Sequence, residues 1–171
     1  NIAFAFTDLV GSSALFSRMG DAEAYHVVRE HFSELNEIVR RNLGNIVKTA
    51  GDGIHAAFLT PEDALRASIE MQRSIPAFNQ RFDRDDVSIR VGLHSGSSIS
   101  VTLNQRLDYY GEAVNLAARL KSLGVEGDIT MSKTFASDPA VSDMLNDYEL
   151  YEREEILKGF TQPVGIVQIR P

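Results

Sequence analysis

Two aspartates stand where chemistry could be done. Asp8 follows the apolar run IAFAFT, Ile2 to Thr7, and Asp52 sits between two glycines in IVKTAGDGIHAAF, Ile46 to Phe58. If the strand end and the hairpin tip lie side by side, two carboxylates meet. Like charges at close range then either raise a pKa or hold a divalent cation between them. Hard oxygen donors suit Mg²⁺ or Mn²⁺, above all where substrate phosphates complete the coordination. The plainer alternative is that each Asp forms a turn, since Asp is common beside Gly. After Asp8 the backbone runs through Leu9, Val10, Gly11 and Ser12 into a helix start. Free amides at such a start bind phosphate, and Gly11 lets the chain approach the anion, although the Gly and Lys spacing of a Walker loop is missing.

A second cluster lies in DYYGEAVNLAARL, Asp108 to Leu120. Asn115 and Arg119 are four apart and share a helical face, which leaves Val114, Leu116, Ala117 and Leu120 for the core. An amide beside a guanidinium fits ribose and phosphate recognition; a solvated polar stripe is the competing account.

The elements that must hold these groups show as patterns. IAFAFT is a short buried strand. Ser12 and Ser13 can cap a short helix through Met19, and Gly20-Asp21 opens a long one carrying Val28, Phe32, Leu35 and Val39 and stopped at Gly44. IVKTA and IHAAF form a hairpin about Gly51-Asp52-Gly53. Thr60, Pro61 and Asp63 start a helix bearing Ala64, Leu65, Ile69 and Met71. VSIRVGLHSG and SISVTL are strands, EAVNLAARLKSL is a helix stopped at Gly124, and DITMS is a short strand. A helical patch spans Lys133 to Leu145, and YELYEREEIL pairs with VGIVQI at the end. The core order βαββαβ predicts an α+β, ferredoxin-like split βαβ fold with additional C-terminal strands. Its antiparallel sheet is expected to be covered by helices on one face.

The chain has 171 residues, 43% of them hydrophobic, which fits one domain over residues 1–171 with a core that needs no disulfide or structural metal. There is no Cys, so thiol nucleophiles and thiolate metal sites are excluded and a reducing, cytoplasmic setting is preferred. The formal charge of −7 argues against nucleic acid as a partner, because broad binding draws on a basic surface. No apolar run reaches the roughly 18 residues of a membrane span. The start at Asn1, without Met or leader, reads as a domain cut from a longer signalling protein with an upstream sensor or membrane domain.

FTDLVGSSAL, VKTAGDGIHAAF, RVGLHSG, DYYGEAVNLAARL and LKGFTQPV, in this order over nearly the whole chain, resemble the catalytic domain of the class III adenylate and guanylate cyclases. In that family two domains pair head to tail and build shared sites, so the resemblance implies a homodimer. It implies that Asp8 and Asp52 hold two Mg²⁺ or Mn²⁺ ions on the triphosphate, for in-line attack of the ribose 3′-hydroxyl on the α-phosphorus. Lys48 and Asp108 match the purine-reading positions, and their donor and acceptor suit adenine, so ATP is the expected substrate and cyclic AMP with pyrophosphate the products. Asn115 matches the ribose-orienting residue, Arg119 the one that stabilises α-phosphate charge, and Lys158 a lysine reaching the terminal phosphates. Ser97 and the segment Ser98 to Leu107 depart from common forms of the family.

Two other functions compete. A catalytically silent, nucleotide-binding regulatory module would show degraded metal or base positions, and none is seen. A guanylate cyclase would generally carry Glu and a small residue such as Cys in place of Lys48 and Asp108.

Overall fold

The computed structural model describes residues 1–103 and 105–171; Asn104, within the individual segment Ser98 to Leu107, lies outside the described residues. Strand β1 spans Ile2–Val10, and helices α1 (Ser12–Met19) and α2 (Asp21–Arg41) follow. The hairpin is β2 (Asn45–Ala50) and β3 (Gly53–Phe58), then come α3 (Pro61–Arg81) and β4 (Ser88–Gly96). These strands give the sheet order β2-β3-β1-β4, antiparallel throughout, which is the split βαβ core. Strands β5 (Ile99–Leu103) and β6 (Arg106–Tyr110) form a separate two-stranded ribbon ahead of α4 (Glu112–Lys121). The chain then adds β7 (Ile129–Ser132), α5 (Lys133–Ala136), α6 (Pro139–Leu145), β8 (Tyr151–Glu155) and β9 (Val164–Ile169). Beyond β4 the large sheet continues β7-β9-β8, and the β4–β7 contact is parallel, so the added strands depart from a wholly antiparallel sheet.

Alternation along β1 divides the core. Ala3, Ala5 and Leu9 face the helical layer with Leu35 and Ile38 of α2 and Leu65, Met71 and Phe78 of α3. Phe4 and Phe6 turn the other way and meet Ala113 and Ala117 of α4. The sheet therefore carries helices on both faces, not one, because β1 is apolar at consecutive positions and needs cover on each side. Burying each of those phenylalanines contributes about 1.5–3 kcal/mol.

Local chemistry explains several boundaries. The Thr60 side chain accepts the Asp63 amide at 3.2 Å and caps α3, with Pro61 at the first helical position. Gly11, in the left-handed region at φ 76°, is the N-cap of α1, so Ser12 and Ser13 lie inside the helix instead of capping it. At Gly92 a side chain would overlap the Lys121 amide nitrogen and the Ala117 carbonyl, so the bare backbone is what seats α4 on β4. In β2 the register against β3 shifts between Ile46 and Lys48, a bulge at Val47. Without that extra residue Lys48 would fall opposite Ile54, on the α2/α3 face; with it Lys48 pairs with His55, on the α4 face.

Candidate active site

Asp8 does not end β1. It lies inside the strand, opposite Arg90 of β4, and the strand continues to Val10. Arg90 Nε and a terminal guanidinium nitrogen both donate to Asp8 Oδ2, at 2.9 and 2.6 Å, while Lys121 Nζ donates to Oδ1 at 3.1 Å. Burial alone would raise the Asp8 carboxyl, but the hydrogen bonds and charges of Arg90 and Lys121 outweigh it and hold the group below its ordinary value. The raised pKa expected of two meeting carboxylates is therefore not what Asp8 shows, because cations surround it.

Asp52 reaches the same end of the sheet through its neighbour. Ile54 donates its amide to Thr7 Oγ1 at 3.1 Å, and a side chain at Gly53 would overlap the Thr7 carbonyl and come within 3.3 Å of Asp8 Cα. Only glycine permits this approach of the hairpin to β1. Asp52 itself makes no side-chain hydrogen bond or ion pair among the described residues. The donor set of two carboxylates fits Mg²⁺ or Mn²⁺. Among the described residues no three His, Cys, Asp or Glu side chains gather, so most ligands there would be water and phosphate oxygens, as Mg²⁺ commonly takes them.

Of the backbone segment after Asp8, Leu9 and Val10 are strand residues paired with Ile89 and Ser88. Gly11 offers no side chain to cap α1; its carbonyl accepts the Ala14 and Leu15 amides at 3.0 and 3.1 Å, which leaves the Ser12 and Ser13 amides without an acceptor among the described residues.

Lys48 and Asp108 meet within one chain. Lys48 Nζ donates to Asp108 Oδ2 at 2.7 Å, joining the edge strand β2 to the β5–β6 ribbon. That hydrogen bond holds the Asp108 carboxyl below its ordinary value; burial opposes it, and the Tyr109 amide, 2.8 Å from Oδ1, adds to it. On the same sheet face lies His55, fully buried, stacked on Phe6 with ring centroids 4.3 Å apart. Neither ring nitrogen has a partner among the described residues, and burial first, then the Lys48 charge, lowers its pKa to about 4. Phe4 links His55 to Tyr109, with centroid distances of 5.6 and 5.4 Å. A cavity of about 770 Å³ opens beside this group, lined by Ile46, Val47, Lys48, Arg106, Leu107 and Tyr109 among others. It has the size of a ligand site and reaches the Lys48 side of the pair, but not Asp8 or Asp52.

Asn115 and Arg119 are both exposed on α4, while Ala113, Leu116, Ala117 and Leu120 of the same helix are buried. Neither polar side chain has a hydrogen-bond or ion-pair partner among the described residues. Lys158 is exposed in the turn between β8 and β9, next to Leu157, which packs on Leu116 and Leu120 of α4. No hydrogen bond or ion pair joins the Asp8 group to the Lys48–Asp108 group among the described residues. Arg90 and Lys121 were not among the residues expected from the sequence. Arg90 stands in RVGLHSG, one strand step opposite Asp8, and Lys121 two residues after Arg119; only the register and the helix seat reveal that they converge. Ser97 Oγ donates to Asn1 Oδ1 at 3.1 Å.

The βαββαβ core thus sets an acidic strand position, an adjacent hairpin carboxylate and a polar helix face in one α+β domain. The chain belongs to the adenylate and guanylate cyclase catalytic domain family, which residues 1–163 match. It is 30% identical over 162 residues to an adenylate cyclase of Lachancea kluyveri, covering 81% of this chain and 8% of that protein. It is 23% identical to the receptor-type guanylate cyclase gcy-13 of Caenorhabditis elegans, covering 99% of this chain and 18% of that protein. The chain thus spans less than a fifth of either relative. Its fold matches the adenylyl cyclase CyaB of P. aeruginosa with a TM-score of 0.85 at 22% identity, over 98% of this chain and 92% of that one. No helix among the described residues is long and apolar enough to cross a membrane.

Proposed function

We propose that the chain is an adenylate cyclase domain of a longer signalling protein, acting as a head-to-tail homodimer that converts ATP to 3′,5′-cyclic AMP and pyrophosphate. Because the similar proteins include both adenylate and guanylate cyclases, the reading rests on one observation, the Lys48–Asp108 pair. Lys48 donates to adenine N1 and Asp108 accepts from the 6-amino group; guanine presents the reverse pattern and leaves both side chains mispaired. The two residues are held together before substrate arrives. With Lys48 half exposed, parting them costs only about 0–1 kcal/mol.

The remaining roles divide between the two chains of a site. Asp8 and Asp52 of one chain hold the two divalent ions, which when bound neutralise the triphosphate and favour the ionised 3′-hydroxyl. The α1 amides and Lys158 bind phosphate oxygens. From the other chain, Lys48 and Asp108 fix the base, Asn115 orients the ribose, and Arg119 meets charge growing on the α-phosphate. That Asn115 and Arg119 have no partner among the described residues supports this assignment, since a ligand need not compete for them.

The test is side-by-side assay of ATP and GTP with Mg²⁺ and Mn²⁺, with Asp52→Ala as control. Cyclic AMP from the wild type and none from the variant is the expected result. Nucleotide binding without turnover under all conditions would instead favour the silent module.

A further inference from the structure

Both carboxylate oxygens of Asp8 are already taken, by two groups on different elements. Arg90 holds Oδ2 through two nitrogens from the adjacent strand, and Lys121 holds Oδ1 from the last residue of α4. The Asp8 and Lys121 side chains are each only 19% exposed, so this contact is less screened than a surface ion pair. Its geometry is fixed from behind, because the end of α4 lies directly on Gly92, two residues from Arg90. The backbone of Lys121 cannot retreat without unseating the helix; only its side chain can swing.

We propose that Lys121 is a tethered cation that occupies the metal position on Asp8 until a triphosphate arrives with the divalent ion, so that free metal is refused and metal with nucleotide is accepted. This rests on the reading of Asp8 as a metal ligand. A divalent ion arriving alone must displace the ammonium from Oδ1 and then sit beside Arg90 and the released Lys121. The Asp8 carboxylate already faces those two cations, which leaves only the Asp52 carboxylate, without a partner among the described residues, to offset the ion's double charge. A triphosphate removes the conflict by supplying negative charge and by giving the ammonium new acceptor oxygens. Lys121 thereby becomes a substrate-binding residue on the Asp8 side of the site, whereas Asn115 and Arg119 of its own helix serve the other site of the dimer.

The test measures Mn²⁺ binding to the intact chain by electron paramagnetic resonance, first without nucleotide. Lys121→Met should bind free Mn²⁺ about ten- to a hundred-fold more tightly than wild type, the range over which one neighbouring cation biases a carboxylate. Lys121→Arg, which keeps the charge, should stay near wild type, and Asp8→Asn in the Lys121→Met background should abolish the gain. With 3′-deoxy-ATP present, Mn²⁺ binding should tighten by a larger factor in wild type than in Lys121→Met. If Lys121→Met and wild type bind free Mn²⁺ alike while Asp8→Asn still weakens binding, the tethered-cation role is overturned and the metal reading stands. Equal nucleotide effects in the two proteins also overturn it. If Asp8→Asn changes no Mn²⁺ binding with or without nucleotide, both ideas fall together.

Discussion

Lys48 Nζ lies 2.7 Å from Asp108 Oδ2, although the residues are 60 apart in sequence and stand on different sheets. A bulge in β2 turns Lys48 to that side, and the β5–β6 ribbon carries Asp108 to meet it. A donor and an acceptor are thus paired as one unit, the proposed reader of the adenine edge.

Replacing that pair should change the nucleotide. Lys48→Glu with Asp108→Cys is expected to lower cyclic AMP formation by about two or more powers of ten, the scale on which mispaired buried polar groups discriminate, and to raise the share of cyclic GMP. Paired kcat/KM values for ATP and GTP measure it; unchanged ATP preference would remove Lys48 and Asp108 from base recognition.

Arg119 and Lys158 should separate in kinetics. Arg119→Ala is expected to reduce kcat by about two to three powers of ten with little change in KM, as loss of a transition-state donor does. Lys158→Ala should act mainly on KM, as loss of a contact to the bound triphosphate remote from the attacked α-phosphorus does.

Three histidines make stability depend on pH. Burial is the leading cause that lowers His31, His55 and His94 from 6.5 to about 4 in the folded chain. Between those values the unfolded chain binds more protons, so their contribution is complete above pH 6.5 and is lost as pH falls toward 4. Each can add a slope of up to about 1.4 kcal/mol per pH unit. Thermal unfolding at pH 7, 6 and 5 should show a falling Tm, and His31→Leu should flatten the curve. The lowered carboxyls of Asp8 and Asp108 act below that window, adding stability that disappears only at more acid pH. A flat Tm from pH 7 to 5 would contradict the neutral state of these rings in the folded chain.

Gly92→Ala should unseat α4. The added methyl overlaps the backbone of Ala117 and Lys121, which cannot yield as a flexible side-chain end would. A loss of about 1–3 kcal/mol in urea unfolding is expected, together with weaker activity, because Asn115 and Arg119 ride on that helix. Full stability and activity would show that α4 can shift without consequence.

What the sequence revealed follows from what is local. The Thr60 cap, the Gly51-Asp52-Gly53 hairpin and the amphipathic spacing of α2, α3 and α4 are encoded within a few residues, and so were readable. The bulge at Val47 was not, since nothing in IVKTA marks which residue the partner strand skips. Strand β6 escaped because RLDYY carries few core residues; its burial pattern is mostly exposed, and its role is to present Asp108. The extension of β1 past Asp8 depends on pairing with Arg90, Ile89 and Ser88, partners about 80 residues away. For the same reason the cations on Asp8 were hidden. Arg90 was visible only as part of a strand motif and Lys121 as a helix end, until the seat of α4 on Gly92 brought them to one carboxylate.

The most direct test of the account is the initial rate of cyclic nucleotide formation by the purified chain, with ATP or GTP and Mn²⁺, over a wide range of protein concentration. Cyclic AMP should dominate, and its rate per chain should rise with concentration until the dimer is saturated, because each site is proposed to draw Asp8 and Asp52 from one chain and Lys48, Asp108, Asn115 and Arg119 from the other. Cyclic GMP in excess would contradict the base-reading role of Lys48 and Asp108, and a constant rate per chain down to concentrations where the chain is monomeric would contradict the shared site.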